Sequence, residues 1–310
     1  MTKKTKEAIK ASMAIVIAIV AILALLVYPL IQSGKIINRP ELEEITETPN
    51  SNLNVESFII TSEDNLKLVC NYVPRSSMAD NNARLPDTAN GTVILLHGLS
   101  DDLSARDEKA QLLSSIGLNV FYYDQRAFGK SEGKYCSGGY FEGNDLQTVI
   151  SRLYLEDKIV EPLIIWGIDH GGTAALRVWE NENRIDFVIA EEPIINGRDW
   201  QKREVARKDL SIPDFYLGFI WWWMKLKSGY EIEIEETDIS DQFSMATELH
   251  PDNFLIIADG ENDIPKNEYL AELRDIGGRW IIGPDGEGDI FKANNDELMA
   301  AFGDLLKSEY

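Results

Sequence analysis

The sequence has little cysteine, little histidine and few basic residues relative to acidic ones. Two cysteines, Cys70 and Cys136, are too few for a disulfide scaffold and have no spacing typical of metal ligands. Only three histidines occur, His97, His170 and His250. Any mechanism that needs an imidazole must therefore use one of those three side chains.

The shortage of basic residues excludes a class of partners. Lys and Arg total 30 against 52 Asp and Glu, which gives a net charge of -22. Residues 1–36 hold five lysines and one glutamate, so the remainder carries 30 − 5 = 25 basic and 52 − 1 = 51 acidic residues, or −26. Nucleic-acid binding depends on basic residues that displace counterions from phosphates. A nucleic-acid partner is therefore excluded.

One long apolar run stands near the N-terminus. Residues 13–31 contain no charged side chain, and as a helix they would extend about 28 Å, close to the thickness of the hydrocarbon core. Four lysines precede the run, whereas only Lys35 and Arg39 follow closely. The positive-inside rule then predicts a single-pass protein of the cell membrane with its C-terminal domain outside the cytoplasm. A cleaved signal peptide is the alternative, but the run is long and no A-x-A-like site follows it.

These features predict four segments. They are a basic cytoplasmic tail at 1–12, a transmembrane signal anchor at 13–32, a polar tether at 33–55 and a folded domain at 56–310. In an oxidising compartment Cys70 and Cys136 would either form a bridge or remain as two separate thiols. The sequence leaves both alternatives open.

The body alternates strand-like and helix-like segments. Apolar β-branched runs occur at 57–61, 66–72, 92–97, 119–123, 163–167, 187–190, 254–258 and 280–283. Helical spacing occurs at about 105–116, 144–155, 171–180, 266–276 and 295–308. Continuously apolar strands are typical of parallel sheets that are buried on both faces. We therefore predict an α/β class protein with a doubly wound, mostly parallel sheet, whose first two strands form an antiparallel edge hairpin.

Residues 194–245 interrupt this alternation and predict a helical cap insertion over the end of the sheet. The cap contains three consecutive tryptophans, Trp221, Trp222 and Trp223. Consecutive residues of a helix face different sides, so at least one ring points away from any single core contact. Burial between cap and sheet is one interpretation, and contact with the bilayer or with an apolar ligand is the other.

Three motifs fall at the ends of predicted strands, where open α/β sheets carry their sites. They read VILLHGLSDD, YYDQRAFGKSEG and LIIWGIDHGGTAAL. Their order and spacing resemble the α/β-hydrolase superfamily over roughly residues 55–308, especially serine hydrolases of the aminopeptidase, acyl-hydrolase and dienelactone-hydrolase type. The resemblance implies that the third motif is the nucleophile elbow G-x-S-x-G. Asp169 stands where the family has serine, and the simpler interpretation is that it caps the following helix.

The resemblance also implies the other two members of a catalytic triad. Asp263, in the segment DGENDIP after a strand, occupies the position of the family acid. Glu287, after the last predicted strand, stands where the family has its histidine, and no histidine follows His250. If Asp169, Asp263 and Glu287 converge, their repulsion would be relieved by a shared proton or by a bound Ca²⁺ or Mg²⁺ ion. We assign no metal and no cofactor.

The same family pattern implies the groups that surround the reacting atoms. The backbone N–H groups of Leu99 and His170 would form the oxyanion hole. His97 and Gly98 would contact the substrate. We also assign substrate contact to Trp222, from the tryptophan run of the predicted cap and not from the family pattern. The identity of that ligand, a small molecule or a peptide, cannot be derived from the sequence.

The substitutions decide the functional prediction. A serine triad needs a neutral imidazole that accepts and returns the proton, and an aspartate nucleophile still needs a histidine to activate water against its ester. We therefore predict a membrane-anchored α/β-hydrolase-like pseudoenzyme with a degraded triad that works by binding or scaffolding. The alternative is an active hydrolase of ester, amide or related bonds that uses an unusual acidic or metal-assisted site.

Overall fold

The computed structural model describes 3–38, 55–75, 90–98, 103–179, 181–194, 196–230, 232, 236, 238–239, 254–259 and 279–283. The chain divides into two compact units. The smaller unit combines 1–38 with 197–236, and the larger combines 39–196 with 237–310.

The larger unit is built on one eight-stranded sheet. The strands are β1 Glu56–Thr61, β2 Lys67–Val73, β3 Thr92–Leu96, β4 Asn119–Tyr123, β5 Leu163–Ile168, β6 Phe187–Glu191, β7 Phe254–Asp259 and β8 Arg279–Gly283. Their order is β1-β2-β4-β3-β5-β6-β7-β8. Strand β2 pairs antiparallel with both β1 and β4, and all other neighbours are parallel. The predicted α/β fold with its mostly parallel sheet and antiparallel edge hairpin is confirmed.

Six helices lie in the described part of the chain. They are α1 Lys3–Ile37, α2 Leu103–Ser115, α3 Tyr140–Leu155, α4 His170–Trp179, α5 Gly197–Arg207 and α6 Leu217–Ser228. The helices predicted at 266–276 and 295–308 lie outside the described residues.

The central strands are buried on both faces, as their continuous apolar sequences predict. Successive side chains of a strand point to opposite faces. In β3, Ile94 and Leu96 join the core cluster that also contains residues of α3 and α4, whereas Val93 and Leu95 join the cluster that contains residues of α2. Two apolar layers therefore enclose the sheet and hold its C-terminal edge in place.

Helix α3 begins four residues before the predicted start at 144. Its N-cap, Gly139, has φ 102°, and the Glu142 carboxylate accepts a hydrogen bond of 3.0 Å from the Gly139 N–H. A Cβ atom at Gly139 would lie only 2.6 Å from Cβ of Thr173. Glycine is therefore required both for the left-handed backbone and for the close approach to α4.

The smaller unit contains α1, α5, α6 and a 3-10 turn at Asp214–Tyr216. The part of the predicted cap at 194–245 that the structure describes is thus mainly helical. Helix α1 is long and apolar enough to cross a membrane. A membrane anchor and a signal sequence both have this composition.

Helix α1 continues into the segment that was predicted to be a tether at 33–55. It ends only at Ile37, and the side chains of Ser33, Ile36 and Ile37 are buried. The start of the predicted tether is therefore wrong, because the last turns of α1 pack within the smaller unit instead of extending as a polar linker. Residues 39–54 lie outside the described part of the chain.

Both cysteines are free and buried, so the open question of a Cys70–Cys136 bridge is answered by two separate thiols. Burial raises the pKa of the Cys70 thiol to about 12. A thiol with so high a pKa carries almost no thiolate at neutral pH and is a poor nucleophile.

Candidate active site

Asp169 lies on a one-residue turn between β5 and α4. Its φ of 53° is in the left-handed region, which residues with a side chain seldom adopt. The Asp169 N–H donates to the carbonyl of Glu191 at 2.8 Å, and the Asp169 carbonyl accepts from the N–H of Thr173 at 3.1 Å. These bonds hold the turn from both sides. The strand–turn–helix predicted around Asp169 is present.

Two glycines make this turn possible. A Cβ atom on Gly167 would lie 2.2 Å from the carbonyl oxygen of Gly171. A Cβ atom on Gly171 would lie 2.8 Å from the carbonyl oxygen of His97 and 2.8 Å from Cβ of Leu96. Neither position has room for a side chain. The spacing Gly167-x-Asp169-x-Gly171 is thus imposed by backbone packing between β5, α4 and β3.

The segment after β3 borders this turn. A Cβ atom on Gly98 would lie 3.2 Å from Cβ of Asp169, so the Gly98 backbone lies directly against the elbow. His170, whose N–H was predicted to line the oxyanion hole, is the first residue of α4. Leu99, which was predicted to supply the second N–H, lies outside the described residues.

The His97 imidazole is occupied by structural hydrogen bonds. Its Nε2 accepts from the Gln125 N–H at 2.9 Å, so the ring proton resides on Nδ1, which donates to the Gly98 carbonyl at 2.9 Å. Burial, followed by the Arg106 guanidinium and His170, holds the pKa of His97 well below its ordinary value. This imidazole therefore ties the end of β3 to the segment after β4 and has no nitrogen left to serve as a base.

The His170 imidazole is fully buried at the start of α4. Its ring stacks on Phe128 with centroids 5.1 Å apart and meets the ring of His97 edge-on at 5.6 Å. Neither ring nitrogen has a hydrogen-bond partner among the described residues. The contacts that the structure gives for this side chain are thus aromatic, and they do not include Asp169.

Several predicted site residues cannot be placed beside the elbow. Asp263, Glu287 and His250 lie outside the described residues. Trp222 belongs to α6 of the smaller unit, where its side chain is exposed. No group of three or more metal-ligating side chains occurs in the part of the chain that the structure describes.

Sequence reasoning missed two buried ion pairs near the carboxyl ends of the strands. Arg106 and Lys109 lie one turn apart on α2, and they pair with Asp124 and Glu191 at 3.1 Å each. All four side chains are buried. The available signal was two cations one helical turn apart in a helix predicted to pack on the sheet, because cations buried there require acidic partners.

The second motif also proves to be structural. Its Arg126 binds the Asp145 carboxylate through two hydrogen bonds of 2.7 Å and reaches Asp64 at 3.0 and 3.2 Å. Asp64 lies in the turn between β1 and β2, and Asp145 lies on α3. One guanidinium thus ties the loop after β4 to the edge hairpin and to a helix.

Comparisons with known proteins agree with this geometry. Residues 87–247, just over half of the chain, match the family model described as serine aminopeptidase, S33. The chain is 27% identical over 198 residues to the uncharacterized protein YqkD of Bacillus subtilis. This alignment covers 60% of this chain and 64% of that protein. It is 30% identical over 124 residues to the uncharacterized protein YfhR of Escherichia coli K12, which covers 40% of this chain and 41% of that protein. The match thus spans less than two thirds of either relative.

A solved structure shows the same fold. An esterase of Pyrococcus furiosus superposes with a TM-score of 0.59 at 22% identity, which covers 87% of this chain and 98% of that one. At this identity the likeness establishes the architecture alone.

Proposed function

Since the chain belongs to the serine aminopeptidase S33 family of α/β hydrolases, we propose that it is a membrane-anchored member that binds a ligand without hydrolysing it through a serine triad. The observation that carries the proposal is the elbow itself. Its turn and glycines are intact, yet the residue at its apex is Asp169.

The described histidines support the loss of catalysis. Both ring nitrogens of His97 are used by backbone groups. The His170 ring is stacked on Phe128, and turning it toward Asp169 would break that stack and the contact with His97. A carboxylate at the elbow has no alcohol proton to lose, but the ester it would form needs an activated water. Asp263 and Glu287 are carboxylates and would be weak bases for that step at neutral pH.

The membrane part of the proposal depends on α1. The charge-free run, the lysines before it and the exposure of its side chains up to residue 27 support an uncleaved anchor. We place the larger unit outside the cytoplasm on the same grounds. The ligand is a small molecule or a peptide that enters at the elbow, beside the backbone of Gly98.

The test is to rebuild the triad stepwise in the full-length chain. Hydrolysis of a short acyl ester and labelling by a fluorophosphonate are measured for the wild type, Asp169→Ser, Glu287→His and the double variant. We expect no turnover by the wild type or by either single variant, and measurable turnover only by the double variant, because triad members act as a unit.

Two results would contradict the proposal. Activity of Asp169→Ser alone would mean that an existing side chain already serves as the base. Wild-type hydrolysis that disappears when divalent cations are chelated would establish the metal-assisted hydrolase instead. Thermal unfolding of all four proteins controls for loss of folded protein.

A further inference from the structure

Helix α6 and the 3-10 turn before it are apolar on two opposite faces. The buried side chains are Leu217, Ile220, Trp221 and Met224. The exposed side chains are Phe215, Phe219, Trp222 and Leu226, with 65%, 44%, 53% and 62% of their surface accessible. The exposed set follows the spacing i, i+4, i+7 and i+11, which places its members on one stripe. We call these four residues the outer stripe.

The inner face has partners within the smaller unit. Trp221 meets Trp200 of α5 edge-on with centroids 6.4 Å apart. Gln201 of α5 donates to the carbonyl of Leu217 at 3.2 Å. Packing against α1 and α5 therefore accounts for the inner face of α6 and leaves the outer stripe open in the described part of the chain. Contiguous exposed apolar side chains of this kind are typical of interaction sites.

Contacts with α1 fix the direction of this stripe along the anchor. At its start, the Tyr28 hydroxyl donates to the carbonyl of Ser211 at 2.8 Å, and the Tyr28 and Tyr216 rings are 5.0 Å apart. Near the end of α6, Nζ of Lys227 lies beside Gly34 of α1. The two helices therefore run in the same direction.

Leu26 of α1 would lie within the hydrocarbon core of a bilayer that α1 spans. A spanning helix needs about 20 apolar residues. When these roughly 20 residues are counted from Ala11, the first residue after the last lysine of the tail, the outer boundary of the hydrocarbon core falls near residue 30. Leu26 shares a shallow apolar groove with Phe215, Phe219 and Trp222 of the outer stripe. If α1 spans a bilayer, three members of that stripe thus lie at the depth of its outer boundary.

The charge of this region differs from that of the rest of the protein. Residues 197–236 contain seven basic and eight acidic side chains, or −1, whereas the remaining sequence carries 23 basic and 44 acidic ones, or −21. Lys225 and Lys227 follow the outer stripe at the end of α6 that adjoins Gly34. Aromatic rings at the boundary with lysines just beyond it are typical of segments that lie in a membrane interface.

We propose that the outer stripe of α6 lies in the outer interface of the bilayer beside α1, with Lys225 and Lys227 at the level of the lipid phosphates. The cap is then a second membrane contact, and the proposal rests on α1 being an uncleaved anchor. Continuity of the stripe with the apolar surface of α1 favours lipid over a protein partner.

The experiment uses the full-length chain in vesicles of phosphatidylcholine with phosphatidylglycerol. A polarity-sensitive fluorophore is attached separately to Trp222→Cys, Phe219→Cys, Ile22→Cys and Leu155→Cys. Ile22 lies in the centre of α1, and Leu155 is an exposed apolar residue of the larger unit. The native cysteines are buried, so the unsubstituted protein supplies the labelling blank. Quenching by nitroxide lipids is compared with quenching by aqueous iodide.

We expect the labels at Trp222 and Phe219 to be quenched by nitroxide lipid at least about twofold more than the label at Leu155, and to be shielded from iodide. Iodide access at both α6 positions, with lipid quenching at Ile22, would overturn the inference and leave the anchor standing. Shielding of the α6 labels from both quenchers would also overturn it, because a protein would then cover the stripe. Iodide access at Ile22 would refute the anchor itself.

Discussion

Alanine substitutions of three glycines should have effects ordered by the space around each Cβ position. At Gly167 the new atom would lie 2.2 Å from the Gly171 oxygen, so that backbone must move by about 1 Å to restore an ordinary contact. This movement opens the turn at Asp169 and should lower the free energy of unfolding by about 3 kcal/mol or more. At Gly171 the nearest atoms are 2.8 Å away, which predicts a loss of about 1–3 kcal/mol.

Gly143 is the matched control for this series. It lies inside α3, where a Cβ atom would make an ordinary contact of 3.5 Å with Val178. Gly143→Ala should therefore raise the free energy of unfolding by about 0.4–1 kcal/mol, because alanine restricts the unfolded chain. Urea midpoints of the full-length proteins in detergent, followed by tryptophan fluorescence, measure the order. Equal midpoints for Gly167→Ala and Gly143→Ala would refute the packing argument for the elbow.

Two further predictions concern buried polar groups. Arg126→Ala should lower the free energy of unfolding by about 3–5 kcal/mol because it leaves Asp145 buried without its cation. The control Arg152→Ala removes an exposed ion pair and should lower it by less than about 1 kcal/mol. Similar urea midpoints for the two variants would contradict this prediction. The pKa of His97 is depressed, so its contribution to stability is complete above the unfolded pKa of about 6.5 and is lost as the pH falls below it, by at most about 1.4 kcal/mol per pH unit. Nitrogen NMR of the imidazole should show a neutral ring protonated on Nδ1 at pH 6, and an imidazolium signal there would refute the assignment.

The strands could be predicted from the sequence because burial on both faces requires continuous apolar runs. Asn119–Tyr123 matches its predicted range, β2 is shifted by one residue at both ends, and the other six strands differ from their predicted ranges by one residue at one end. The elbow could also be predicted. The pattern around Asp169 resembles a known family motif, and the contact that excludes a side chain at Gly167 is local, although Gly171 packs against the distant residues His97 and Leu96.

Features that depend on distant residues were not predictable in this way. The ion pair between Arg126 and Asp145 joins a loop to a helix, and the residues around each of them do not indicate which side chain is its partner. The last turns of α1 contain Gln32, Ser33 and Gly34, which read as polar linker until their packing in the smaller unit is known. The triad-equivalent positions Asp263 and Glu287 stay predictions, because family resemblance alone assigns them.

The packing of residues 29–37 at the end of α1 affects how a soluble form of the protein should be prepared. Removal of the whole hydrophobic helix would also remove the surface on which Tyr28 and Gly34 meet the cap. The apolar side chains of the cap that contact α1 would then be exposed to solvent and would favour aggregation. A truncation that begins just before Tyr28 keeps those partners together. A protease that cuts after this segment would likewise release a protein whose cap has lost its contacts with α1 and exposes the apolar side chains that α1 covered.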